Sequence, residues 1–181
     1  MGIMHHTAME FVENAFTEYR QSNDWNRSKL LVEFGAYDVN GSIRELFTNA
    51  SINYIGVDLQ AGPGVNIVKD AAQITPADLN GKLADIVVTT NVFEHVEDWE
   101  AIVSSAYGIL KEGGWFIVQC AGPGFGAHSG KIESTELEPD EWYRNVPHEE
   151  LQAAMLDAGF KNVKTRWRDE WPHDTFGQGI K

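Results

Sequence analysis

Ala8, Phe11, Val12, Ala15, Phe16 and Tyr19 recur at spacings of three, four and seven, which predicts an amphipathic helix docked on the rest of the chain. The polar stretch Gln21 to Ser28 separates it from Leu30-Leu31-Val32-Glu33-Phe34-Gly35, a pattern expected of a buried parallel strand ending at a glycine. Ile43, Leu46, Phe47 and Ala50 predict a helix face from Ser42 onward. Further strands are predicted at Tyr54–Asp58, at Val65–Val68 and at the β-branched run Asp85–Thr90. Trp99, Ile102, Val103, Ala106, Ile109 and Leu110 mark the clearest helix, with Gly113-Gly114 as its expected stop. Trp115 to Cys120 follows as a fifth strand.

The pattern then breaks. Residues 121 to 146 are irregular, and so long a loop inside a compact domain is usually functional or disordered. Pro147 opens another helix, with Leu151, Ala154, Met155 and Ala158 on its face and Gly159 at its end. Val163, Thr165 and Trp167 alternate with Lys164, Arg166 and Arg168 as in a half-exposed strand, and Thr175 to Ile180 can pair with it through the turn Glu170 to His173. Strand and helix alternate and end in a hairpin, so an α/β domain with a mostly parallel sheet is expected over residues 29–181, preceded by the docking helix and linker of residues 1–28.

In such sheets the ligand sits beyond the carboxyl ends of the strands, so those ends carry the candidate chemistry. The first runs through Glu33, Gly35, Ala36 and Tyr37 to Gly41, and the second ends at Asp58, which follows Gly35 by 23 positions. An acid at that spacing is placed to accept hydrogen bonds from ribose hydroxyls. The third strand leads to Asp70-Ala71 and the fourth to Asn91-Val92-Phe93-Glu94-His95, a polar group followed by apolar ones that suits an adenine. Tyr37 and Val39 stand where a dinucleotide site needs small residues, and no phosphate-binding Lys-Ser/Thr pair is present, so a nucleoside with a non-phosphate tail is the better fit.

The ordered set VEFGAYDVNGS, YIGVDL, Asp70-Ala71, DIVVTTNVFEHVEDW, LKEGGWFIVQC and LQAAMLDAGF resembles the class I S-adenosylmethionine-dependent methyltransferases, in particular the small single-domain type 11 group. The resemblance implies a Rossmann-like three-layer sandwich around a seven-stranded sheet of order 3-2-1-4-5-7-6 with an antiparallel last strand. It implies that Glu33 and Gly35, with Ala36 and Tyr37 beside them, face the methionine moiety and that Asp58 binds ribose. Leu59, Asp70 and Ala71 would then meet adenine, while Asn91, Val92 and His95 would line the sulfonium side. The family's motif carries further glycines where Tyr37 and Val39 stand here; the next glycine is Gly41, so a differently shaped loop is expected. The implied reaction moves a methyl group to an oxygen or nitrogen of a small-molecule or glycan-like acceptor. His128, in the glycine-rich loop, is the first candidate for the base and His95 the second, with Tyr143, Arg144 and Asn145 as acceptor contacts. The alternatives are that His95 only braces the Trp99 helix, that His128 is a solvated loop residue, and that the chain binds the nucleoside without catalysis.

Composition narrows this further. The 181 residues carry 27 Asp+Glu against 14 Lys+Arg, a formal charge of −13 that would repel a phosphate backbone and disfavours nucleic acid as partner. Lys164, Arg166 and Arg168 form the sole basic stripe, the only docking face a macromolecular acceptor would find. Seven acids against two bases between Lys131 and Glu150, Glu136, Glu138 and Asp140 among them, suggest a local filter against anionic acceptors. Cys120 is alone, so no intrachain disulfide forms, and with no membrane-length apolar run a cytoplasmic monomer or homodimer is expected. His5-His6 lack metal-ligand spacing, and no metal site is expected.

Overall fold

The computed structural model describes residues 6–23, 28–38, 41–48, 51–132 and 134–181; His5, Val39, Ala50 and Glu133 lie outside them. Helix α1 spans His6–Ser22, and the strands are β1 (Lys29–Phe34), β2 (Ile52–Asp58), β3 (Ile67–Val68), β4 (Ala84–Thr90), β5 (Leu110–Ala121), β6 (Lys161–Trp167) and β7 (Asp174–Ile180). Among the described residues, helices α2 (Trp99–Ile109) and α3 (His148–Ala158) complete the regular elements, with four short 3-10 helices between strands. The strands form one sheet of order β3-β2-β1-β4-β5-β7-β6. β7 runs antiparallel to both β5 and β6, and the β1–β2, β1–β4, β2–β3 and β4–β5 pairs are parallel. This is the architecture expected from the resemblance.

Strand alternation sorts the core into two layers. Val32, Phe34, Val87, Phe116 and Val118 face α2 and α3, where Ile102, Val103, Leu151 and Met155 are buried against them. Leu31, Ile86, Val88, Trp115 and Ile117 face the opposite way onto Val12, Ala15, Phe16 and Tyr19 of α1. Tyr19 meets the Trp115 ring edge-on at 5.8 Å, and burial with the nearby Asp85 charge pushes its hydroxyl up to about 12. The periodicity of α1 therefore reports its docking face directly.

Two local expectations are corrected. The segment after Ser42 is a single 3-10 helix, Ile43–Phe47, capped by the Ser42 hydroxyl, and not an α-helix. Gly113-Gly114 does not stop α2: that helix ends at Ile109, Leu110 already pairs with Ala84, and both glycines lie inside β5. Gly113 adopts φ +76° and donates its N–H to the Lys181 carbonyl, so the pair serves the irregular first part of a strand, a place where glycine signals the same loss of helix as a cap does.

The basic stripe is occupied within the fold. Lys164 pairs with Glu18 at 2.7 Å, the Arg166 guanidinium lies 4.6 Å from the Phe176 ring centroid, and Arg168 reaches Glu170. Among the described residues no helix is long and apolar enough to cross a membrane. Cys120 is fully buried among apolar side chains, which raises its thiol pKa and suits a packing residue.

Candidate functional site

The carboxyl ends of β1, β2 and β4 open into one cavity of about 1260 Å³, lined on its other side by residues 124–131, 134–136 and 140–142 and by the β6–β7 turn. Backbone ties shape its floor. The N–H groups of Gly35 and Ala36 both donate to the Val57 carbonyl, and Tyr37 N–H donates to the Asp58 carboxylate at 3.0 Å. Asp58 also accepts from Gln60 N–H, so its side chain is held in place with lone pairs left over for a ligand. Gly35 sits at φ +79°, and a Cβ there would fall 2.1 Å from Val92 Cγ2; only glycine lets the two strand ends meet.

Tyr37 explains how the loop manages without the family's glycine. Its ring lies against Gly62, where an added Cβ would come 2.1 Å from Tyr37 Cε2. Asp38 N–H reaches Pro63 O in the same turn. The space a glycine would leave at position 37 is thus moved to position 62.

Glu33 is buried beneath the cavity floor and accepts a hydrogen bond from Tyr54 Oη. Burial pushes its carboxyl up to about 7, opposed by the Tyr54 bond and the Arg44 charge. Asp70 caps the short helix Ala71–Gln73 through Ala72 N–H, which fixes Asp70 and Ala71 at the rim. Leu59 is 69% exposed at the cavity mouth, an apolar side chain held open to a flat partner. Asn91 takes φ +54° and leaves its buried amide oxygen without a partner. Glu33, Gly35, Ala36, Tyr37, Asp58, Leu59, Asp70, Ala71, Asn91 and Val92 all line this cavity, as do His95 and His128.

The two histidines meet at its far end. Their rings stand edge-on at 4.9 Å, and Tyr143 packs edge-on against both. Burial and then the neighbouring His128 push His95 down to about 4, so its imidazole is neutral at physiological pH. His128 Nδ1 lies 3.1 Å from the Gly126 carbonyl.

The loop that carries His128 is stitched together. Glu141 accepts from Ser129 Oγ, from Gly130 N–H and from Glu138 N–H, and Asn145 Nδ2 donates to Phe125 O. Arg144 pairs with Glu150 at 2.7 Å, and Tyr143, Arg144 and Asn145 stand outside the cavity lining, with Tyr143 packed on both histidines. Of the acids, Glu136, Asp140 and Glu141 line it, whereas Glu138, Glu149 and Glu150 do not. Trp142, Trp171 and His173 also line it and went unread in the sequence. The turn at Glu170 to His173 was legible as a turn, but nothing local says that the β5–β7 pairing folds it over the cavity.

A family model described as a methyltransferase domain matches residues 4–165. No curated protein sequence matches the chain. Among solved structures, the fold is similar to Haemonchus contortus phosphoethanolamine N-methyltransferase 2 in complex with S-adenosyl-L-methionine, with 14% identity and TM-score 0.64 over 94% of this chain and 52% of that one. It is similar to the CurJ carbon methyltransferase, with 18% identity and TM-score 0.68 over 95% of this chain and 53% of that one. It is also similar to Burkholderia thailandensis 1,6-didemethyltoxoflavin-N1-methyltransferase, with 15% identity and TM-score 0.67 over 96% of this chain and 78% of that one. The chain spans about half the length of the first two.

Proposed function

The chain belongs to the methyltransferase-domain family, and on that premise we propose that it transfers the methyl group of S-adenosylmethionine to an oxygen or nitrogen of a small-molecule or glycan-like acceptor. The observation that carries this reading is the convergence on one cavity of an acid at each of two adjacent strand ends, Glu33 and Asp58, with a histidine pair opposite them. The cavity fits the cofactor's chemistry. Asp58 has lone pairs for ribose hydroxyls, Leu59 and Ala71 offer apolar contact to a purine, and Asn91 has an unpartnered amide oxygen. Glu33 is the acid for a cationic amino-acid tail, and the donor's sulfonium already carries an activated methyl group.

The protein then has to align the acceptor, exclude water and remove a proton. His95 is a weak base, because a conjugate acid with pKa about 4 gives its proton up readily. The proton therefore goes to His128, with His95 and Tyr143 holding its ring. Trp142 and Trp171 give the acceptor end two large apolar faces, and Glu136 and Asp140 add negative charge that disfavours an anionic acceptor. Calorimetry with S-adenosylmethionine tests the reading: the wild type should bind and Asp58→Ala should bind far more weakly. Absence of binding to the wild type overturns it.

A further inference from the structure

At the acceptor end of the cavity, His95 and His128 stand beside a buried carboxylate that the reading above leaves unused. Glu94 is fully buried, and both of its carboxylate oxygens lack a hydrogen-bond partner. His95 Nδ1 is likewise buried without one. A ligating atom of Glu94, one of His95 and one of His128 all lie within 4.8 Å of one another. We propose that Glu94, His95 and His128 form a divalent transition-metal site in the wall of the cavity, of the class that takes zinc.

An unpartnered carboxylate in an apolar interior is costly, and two imidazoles beside it add further lone pairs. Neither Glu94 oxygen is hydrogen-bonded to either ring. The charge of the buried Asp174 also acts on Glu94. One cation held between the three residues would satisfy Glu94 and His95 together.

The surrounding contacts are those a metal site needs. His128 Nδ1 beside the Gly126 carbonyl is placed as the N–H, which leaves Nε2 with the lone pair; a backbone carbonyl commonly orients a ligating imidazole in this way. Tyr143 packs on both rings and sets their tilt, and Arg144 N–H ties the loop back to the Glu94 carbonyl at 2.8 Å. Two imidazoles and a carboxylate suit zinc or a similar ion over magnesium or calcium, which prefer oxygen alone. Tetrahedral ligands about such an ion stand about 3.3 Å apart, so a modest rotamer adjustment would close the set.

Three protein ligands leave a coordination position open, and His95 and His128 both line the cavity. An acceptor hydroxyl bound there would lose its proton to solvent more readily. Its lone pair would then take the methyl carbon while the C–S electron pair stays on sulfur. That role rests on the methyl-transfer reading, whereas metal binding does not. With the ion in place His128 is a ligand, and its work as base belongs to the metal-free protein.

The test titrates Co²⁺ into chelator-stripped full-length protein, followed by visible absorption and by displacement with Zn²⁺, alongside S-adenosylmethionine calorimetry on the same sample. The expected result is one Co²⁺ per chain, with tetrahedral-type absorption and binding at least tenfold weaker in both Glu94→Gln and His128→Gln. Thermal melts check each variant, and His128→Gln, in a half-buried loop position, decides the matter if the buried Glu94→Gln does not fold. No stoichiometric Co²⁺ binding, or equal binding in wild type and folded variants, overturns the metal site. Co²⁺ binding without cofactor binding upholds the site and overturns the methyl-transfer reading alone.

Discussion

The two ends of the cavity are built by different means. At the proposed cofactor end, Glu33 and Asp58 sit on neighbouring parallel strands whose register pairs Glu33 with Gly56 and Phe34 with Val57. Their positions follow from the ladder, and backbone N–H groups hold the Asp58 side chain. At the acceptor end no ladder exists. His128 rides on a loop whose shape depends on one carboxylate, Glu141, and on side chain to backbone bonds from Asn145 and Trp167. The first end tolerates little change because the sheet that makes it also makes the core. The second can be reshaped without disturbing the sheet, which is how one fold serves different acceptors.

Breaking the cofactor end should have the largest effect. Asp58→Ala removes charge-assisted bonds worth about 1.5–3 kcal/mol each, so S-adenosylmethionine affinity by calorimetry should fall about 100-fold. The pH dependence comes next. Glu33 has a free-protein pKa of about 7, and a cationic ligand needs its carboxylate. Affinity should therefore be level above that pH and fall as pH drops through it, by up to about tenfold per unit. Glu33→Gln should bind more weakly and lose the slope; an unchanged slope would remove Glu33 from the site.

Changes at the acceptor end should leave cofactor binding alone. Glu141→Ala releases the Ser129, Gly130 and Glu138 donors and should raise the acceptor KM about tenfold at constant cofactor Kd. Equal effects on both constants would mean that the two ends are not separable. The smallest effect is expected from Glu136→Gln with Asp140→Asn. Both carboxylates line the cavity, and Asp140 is already paired with Lys131 at 2.8 Å. Discrimination against anionic acceptors should relax only a few-fold, because exposed charges are well screened.

The same contrast sets what could be read from residue order. Buried strands announce themselves by continuous apolar runs, and β1 and β4 fall within a residue of their expected bounds. The acids at the strand ends were legible because a parallel sheet delivers successive strand ends to one edge. Gly113-Gly114 misled, since glycine marks both the end of a helix and an irregular strand edge. Trp171 and His173 were silent, because only the antiparallel pairing of β7 with β5 brings their turn to the cavity.

Local patterning by itself determined the alternation of elements, the two-layered core, the strand ends that open into the cavity and the acids that stand there. These follow from side-chain periodicity and chain connectivity, which residue order contains directly. Tertiary structure alone decided that Glu94, His95 and His128 meet, although the third lies 33 positions after the second. It also decided that Tyr37 fits by displacing space to Gly62, and that Arg144 turns away from the cavity to Glu150. Those outcomes depend on distant side chains competing for the same volume and the same hydrogen bonds. No local sequence pattern records that competition.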